Sequence, residues 1–223
     1  WIFDNNPLLY KLAENNQLAF GTIDSWLIWK LTNGKRHVTD VTNASRTLIF
    51  NIKKLKWDSE LIDIIGIPNN ILPKVVSCSE HIGYTEKNIL GAEIPITGVA
   101  GDQQASLFGQ MCIEEGDIKN TYGTGCFCMM NTGEKIVNSK NRLLSTIAYQ
   151  LNNKTFYAIE GSIFTAGSLV QWLRDQLEII SNASEIESLA STVKDNGGIT
   201  FIPALSGLGA PYWNPKATGS ILG

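Results

Sequence analysis

The chain has 223 residues, 43% hydrophobic and 17% charged, with 20 glycines and a formal net charge of −3, enough for one large domain or two small ones with a real core. Without a Lys/Arg cluster, that charge argues against nucleic-acid binding by counterion release. No apolar run approaches a membrane span, and four cysteines lacking a CxxC pair make neither a disulfide framework nor a zinc site. The class left is a cytoplasmic protein of mixed α/β type. The chain starts at Trp1-Ile2-Phe3 and stops at Ile221-Leu222-Gly223; both ends read as cuts through structured elements, so a fragment is expected.

In chain order, residues 7–15 suit a short helix. Thr22-Ile23-Asp24-Ser25 can cap a second helix that Asn33-Gly34 stops, with Trp26 and Trp29 expected in the core. A third helix is expected over residues 58–65, ended by Gly66 before Pro68. Residues 81–85 and 94–100 read as strands, as do residues 117–122 and 126–131 around Gly123-Thr124-Gly125. Residues 143–150 and 155–159 form a hairpin around Asn152-Asn153. A helix over residues 162–180 follows, with Ile163, Ala166, Leu169, Val170, Leu173 and Leu177 on one face, then a helix over 185–194 and a buried strand over 199–203. This order suggests mixed sheets flanked by helices.

Four segments carry candidate chemistry. At Gly101-Asp102-Gln103-Gln104 an apolar strand runs into a helix whose start favours negative charge. Asp102 reads either as an N-cap or as a base for a substrate hydroxyl. Around Thr124, two glycines let backbone amides approach a phosphate, or simply make a hairpin turn. Small residues at Ala166, Gly167 and Ser168 mark close approach by another backbone or by a flat ligand. The loop from Ser206 to Pro215 is a structural corner or a site wall. His37, His81, Cys126, Cys128 and the run Lys53-Lys54-Leu55-Lys56 read as structural or solvated.

Taken together, six strings resemble the FGGY carbohydrate kinases, and among them the members acting on glycerol. They are FGTIDSWLIW (residues 20–29), VTDVTNASRT (38–47), AGDQQA (100–105), NTYGTGCF (120–127), QWLRD (171–175) and GLGAPYW (207–213). The resemblance spans essentially the whole chain. It implies an actin-like, ribonuclease H-like α/β fold, with residues 1–109 from the first domain and 110–223 from the second. It also implies ATP-dependent phosphorylation of glycerol to sn-glycerol 3-phosphate.

Under that resemblance Asp102 takes the hydroxyl proton, Gln103 binds glycerol hydroxyls and Phe127 walls the carbon chain. Thr124, Gly167 and Gln171 contact the nucleotide. The Mg²⁺ ligands, the phosphate loop and the Arg-Glu grip on glycerol are expected outside these residues, so the chain alone is expected to be inactive and poorly soluble. A homo-oligomer, dimer or tetramer, is expected of the whole enzyme. Residues 87–93 retain only Gly91 of the loop through which some bacterial members respond to fructose 1,6-bisphosphate, and Glu93 would repel a phosphate. That regulation is not expected. Alternatives are a family member acting on a pentulose or polyol, or a non-catalytic remnant of a split gene.

Overall fold

The structure, a computed structural model, describes all 223 residues. Its first half alternates short helices and strands: α1 (Ile2–Asn5), α2 (Pro7–Glu14), α3 (Ile23–Leu31), β1 (Val38–Asp40), α4 (Val41–Ala44), β2 (Phe50–Asn51), β3 (Lys56–Trp57) and α5 (Ser59–Ile65). After a 3₁₀ turn at Asn69–Ile71 come β4 (Lys74–Val76), β5 (Ser79–Tyr84), α6 (Lys87–Leu90), β6 (Pro95–Gly98) and α7 (Asp102–Gly109). The second half contains β7 (Ile118–Tyr122), β8 (Cys126–Asn131), β9 (Leu144–Leu151), β10 (Lys154–Ile163), α8 (Gly167–Asp175), α9 (Glu185–Ala190), β11 (Thr200–Ile202) and β12 (Ser220–Leu222).

Local chemistry explains the best-defined boundaries. Asp58 caps α5 by accepting the Glu60 and Leu61 amides, and Gly66 ends it in the left-handed region. Asn152 and Asn153 both take positive φ, as a two-residue hairpin between β9 and β10 requires. Strands β7, β8, β10 and β9 form one antiparallel sheet in that order. Pairs β2–β3, β5–β6 and β11–β12 are also antiparallel, whereas β1 and β4 pair in parallel.

The largest apolar cluster joins Val41, Ala44, Phe50, Cys78, Leu107 and Cys112 to Met129, Ile147, Ala148, Tyr149, Tyr157 and Ala158. The first six come from the helix–strand half and the last six from the four-stranded sheet, so burial of this cluster holds the two halves together. A smaller one gathers Ile28, Val38, Val76 and Ile82 around the parallel pair.

Several expectations need correction. The helix expected over 162–180 runs only from Gly167 to Asp175, and its start is delayed because Ser162 and Ile163 extend β10 and pair with Phe127 and Cys126. Their apolar spacing fits a helix, but sheet pairing satisfies their backbone instead. The helix after Ser184 ends at Ala190 rather than at residue 194. The strand near residue 200 is not buried: Thr200 and Ile202 are exposed, paired only with β12. Trp26 and Trp29 are 58% and 38% exposed instead of being in the core; Lys30 lies over the Trp26 ring. Thr22 occupies the N-cap of α3 without a capping side-chain bond; its hydroxyl donates to Asp24 instead. All four cysteines are free, Cys126 buried and Cys128 exposed.

Candidate active site

Asp40 sits at the N-cap of α4 with no exposure to solvent. Its carboxylate accepts the Thr42 amide (2.9 Å) and hydroxyl (2.7 Å), the Asn43 amide (3.1 Å) and side-chain Nδ2 (2.7 Å), and the Cys78 thiol (3.2 Å). A buried carboxylate needs such a set of donors to remain charged. Burial next to Asp40 pushes the Cys78 thiol far above its ordinary range, so that thiol stays protonated and serves as a donor. The Thr42 hydroxyl in turn accepts the Gly101 amide at 2.8 Å. The turn preceding α7 is thereby tied to a buried carboxyl group 61 residues earlier in the chain.

Gly101 occupies the N-cap of α7, so Asp102 is the first helical residue and not the cap. The carboxylate is exposed, and it accepts the Gln103 amide at 2.8 Å. The two glutamines beside it part company. Gln104 is 2% exposed and donates to the Ile147 carbonyl of β9 at 3.3 Å, holding α7 against the sheet. Gln103 is half-buried, and its Oε1 accepts from the Lys119 ammonium. Lys119 also donates to the Thr121 hydroxyl at 2.7 Å and is 5% exposed. Burial pulls the lysine below its usual pKa, while the charges of Glu160 and Asp102 act in the opposite sense.

Sheet register puts further groups on this face. Thr121 pairs with Phe127, which pairs with Ser162; Lys119 pairs with Met129, which pairs with Glu160. Directly paired residues project from the same face of a sheet, so Lys119, Thr121, Phe127, Ser162 and Glu160 share one side. Glu160, with its side chain 1% exposed, accepts both Arg46 guanidinium nitrogens at 3.0 Å and the Ser162 hydroxyl at 3.2 Å. Neither Lys119 nor the Arg46–Glu160 pair was singled out from sequence. Lys119 faces inward between the exposed Ile118 and Asn120, the reverse of what apolar and charged residues in a strand suggest, so the sequence carries no signal for it.

At the end of β7 and β8 the Gly123-Thr124-Gly125 turn meets α8. The Gly167 amide donates to the Gly123 carbonyl at 2.9 Å, and the Ala166 and Ser168 amides donate to the Thr124 carbonyl at 2.8 and 3.2 Å. A Cβ on Gly167 would lie 2.6 Å from the Gly123 oxygen, and one on Gly125 would lie 2.4 Å from the Ile163 oxygen. The small residues therefore serve close backbone approach. Gly125→Ala is expected to lower stability by about 2–3 kcal/mol, the scale of forced overpacking, measured by urea unfolding; an unchanged midpoint would contradict the contact. Neither the Thr124 nor the Gly125 amide donates to a backbone carbonyl, and Thr124 is exposed. Gly125 is buried, so the Thr124 amide is the donor open to an anion. Gln171 lies one helical turn after Gly167, on the same side of α8.

The loop after Ser206 is a structural corner: the Ala210 amide donates to the Ser162 carbonyl at 2.9 Å and the Trp213 indole to the Arg142 carbonyl at 2.7 Å. His37 bonds the Phe20 carbonyl and His81 packs on Tyr84, so both are structural. The site thus offers an exposed carboxylate, an amide held by an ammonium, a half-buried phenylalanine on the same sheet face and, along the same hairpin, a turn with an exposed threonine whose backbone amide is unpaired. Such a set can hold a hydroxyl compound beside a phosphate.

Known proteins resemble this chain over its whole length. The model for the N-terminal domain of the FGGY family of carbohydrate kinases matches residues 1–109, and that for its C-terminal domain matches residues 118–223. Glycerol kinase 2 of Thermotoga maritima is 59% identical over 223 residues, covering 100% of this chain and 45% of that protein. The glycerol kinase of Petrotoga mobilis is 57% identical over the same span, again 45% of its length. The crystal structure of Plasmodium falciparum glycerol kinase with ADP superposes with a TM-score of 0.89 at 42% identity, over 100% of this chain and 45% of that one. The chain therefore spans about half the length of the curated relatives it matches. Its helices and mixed sheets are those of the actin-like ATPase fold of these kinases. With both domain models matched and the fold shared, the chain belongs to the FGGY family of carbohydrate kinases.

Proposed function

We propose that these residues form the central part of an ATP-dependent kinase that phosphorylates glycerol to sn-glycerol 3-phosphate. The observation carrying this reading is the start of α7, where an exposed Asp102 follows a glycine anchored through Thr42 to Asp40, beside a Gln103 held by Lys119. The names and identities of the T. maritima and P. falciparum relatives support glycerol as the substrate.

In this reading the terminal glycerol hydroxyl lies between Asp102 and the γ-phosphate. Its oxygen forms the new bond to phosphorus as the bond from phosphorus to the ADP oxygen breaks, and its proton passes to Asp102 Oδ2, since Oδ1 already accepts the Gln103 amide. Gln103 binds a glycerol hydroxyl, and Phe127 packs on the carbon chain. Thr124 touches the phosphates through its hydroxyl, and Gly167 and Gln171 contact the nucleotide from α8. These roles rest on the family resemblance and on the open Thr124 amide of the Gly-Thr-Gly turn. No group of three or more His, Cys, Asp or Glu side chains converges to hold a metal ion. By the family resemblance the Mg²⁺ ligands belong outside these residues.

No helix is long and apolar enough to cross a membrane. A cytoplasmic location and a homo-oligomeric whole enzyme are carried by the family resemblance. The test is a chimera in which these 223 residues replace the matched span of the T. maritima relative. A coupled ADP-release assay is expected to show turnover with glycerol and little with xylulose or ribulose, and none with the 223-residue chain alone. An inactive but folded chimera, or a preference for a pentulose, would overturn the reading.

A further inference from the structure

We infer that Lys119 is a positioning residue for the reaction: its ammonium fixes the orientation of the Gln103 carboxamide so that the NH₂ group, not the carbonyl, faces the substrate. This deepens the functional reading above and rests on it.

A glutamine amide has two orientations related by a half-turn, one presenting an acceptor and the other two donors. Only its surroundings choose between them. Lys119 has donors and no acceptor, so the Gln103 oxygen must face it, as it does. The lysine cannot easily move away. It is 5% exposed, its second bond runs to Thr121 Oγ1 at 2.7 Å on its own strand, and Glu160 supplies a counter-charge on the same sheet face. Glu160 does not draw the ammonium off Gln103, because Arg46 and Ser162 already occupy its carboxylate.

The consequence concerns proton bookkeeping at the substrate. A hydroxyl bound by the Gln103 NH₂ group accepts through its oxygen and keeps its proton. That proton is then free for Asp102, the adjacent residue. In the opposite orientation the Gln103 carbonyl would accept the hydroxyl proton and compete with the base. Lys119 thus makes neighbouring residues complementary, Gln103 a donor and Asp102 an acceptor, and selects a ligand that carries a hydroxyl at this point.

Two measurements test this. In the chimera labelled with ¹⁵N-glutamine, Lys119→Met is expected to shift the Gln103 side-chain amide resonances and leave those of Gln104 in place. Unmoved Gln103 resonances would overturn the proposal whatever becomes of the glycerol assignment. In the chimera, Lys119→Met is expected to raise the glycerol KM about tenfold, the scale of losing a charge-assisted hydrogen bond. Gln103→Leu should do the same, and the double variant should be no worse than Gln103→Leu alone. Additive losses, or an unchanged KM in Lys119→Met, would overturn the link to substrate. If Lys119→Met does not fold, Lys119→Arg decides: it keeps the charge and the donor, so KM should stay within about threefold, and a larger rise would count against the proposal. Failure of the unsubstituted chimera to phosphorylate glycerol would instead strike the functional reading, with the resonance shifts still deciding the Lys119–Gln103 contact.

Discussion

Asp102→Asn in the chimera is expected to lower kcat for glycerol by about 10²–10⁴-fold, the range for loss of a general base, with the glycerol dissociation constant nearly unchanged. The asparagine is nearly isosteric, and its side-chain oxygen can still accept the Gln103 amide that the aspartate accepts at 2.8 Å. The anchored turn at Gly101 is untouched, since its amide bonds Thr42 rather than residue 102. What disappears is the ability to take up the hydroxyl proton. A coupled assay for kcat with calorimetry for binding separates the two effects. Unchanged turnover would refute the assigned base; lost binding with unchanged kcat would make Asp102 a ligand only.

Arg46→Met is expected to cost stability rather than chemistry, about 3 kcal/mol by comparison with other buried pairs deprived of one partner. The reason is asymmetric burial: the Arg46 side chain is 37% exposed and the Glu160 side chain 1%. Removing the guanidinium strands a carboxylate inside the sheet with only the 3.2 Å bond from Ser162. Adding Glu160→Gln removes the stranded charge, so the double variant should recover much of the loss. Urea unfolding of the three proteins checks this, and a double variant as unstable as Arg46→Met would show that the charge was not the cost.

Elements written in neighbouring residues were readable in advance. Asp58 and Gly66 bracket α5 where the sequence places them, and Gly123 to Gly125 separate β7 from β8. Asn152-Asn153 turns β9 into β10 for the same reason, since both residues tolerate positive φ. The extension of β10 through Ile163 was not legible, because residues 162–166 have helical spacing and only the partner strand β8 reveals their pairing. The parallel pair β1–β4 was missed too, being three residues on each side. Trp26 and Trp29 show that helical spacing identifies a face without telling what covers it.

The same division holds in the site. The sequence alone determined the family, through six ordered strings, and brought attention to Asp102, Gln103, Thr124 and Phe127. It could not say that Gln104 turns inward while Gln103 meets Lys119. Nor did it indicate that Thr42 holds Gly101 across 59 residues, or that Arg46 meets Glu160 across 114. Motifs and turns are encoded by residues within a few positions, so their spacing carries them. Which buried polar groups meet depends on how separate elements pack, because each must find its partner from wherever the core leaves it.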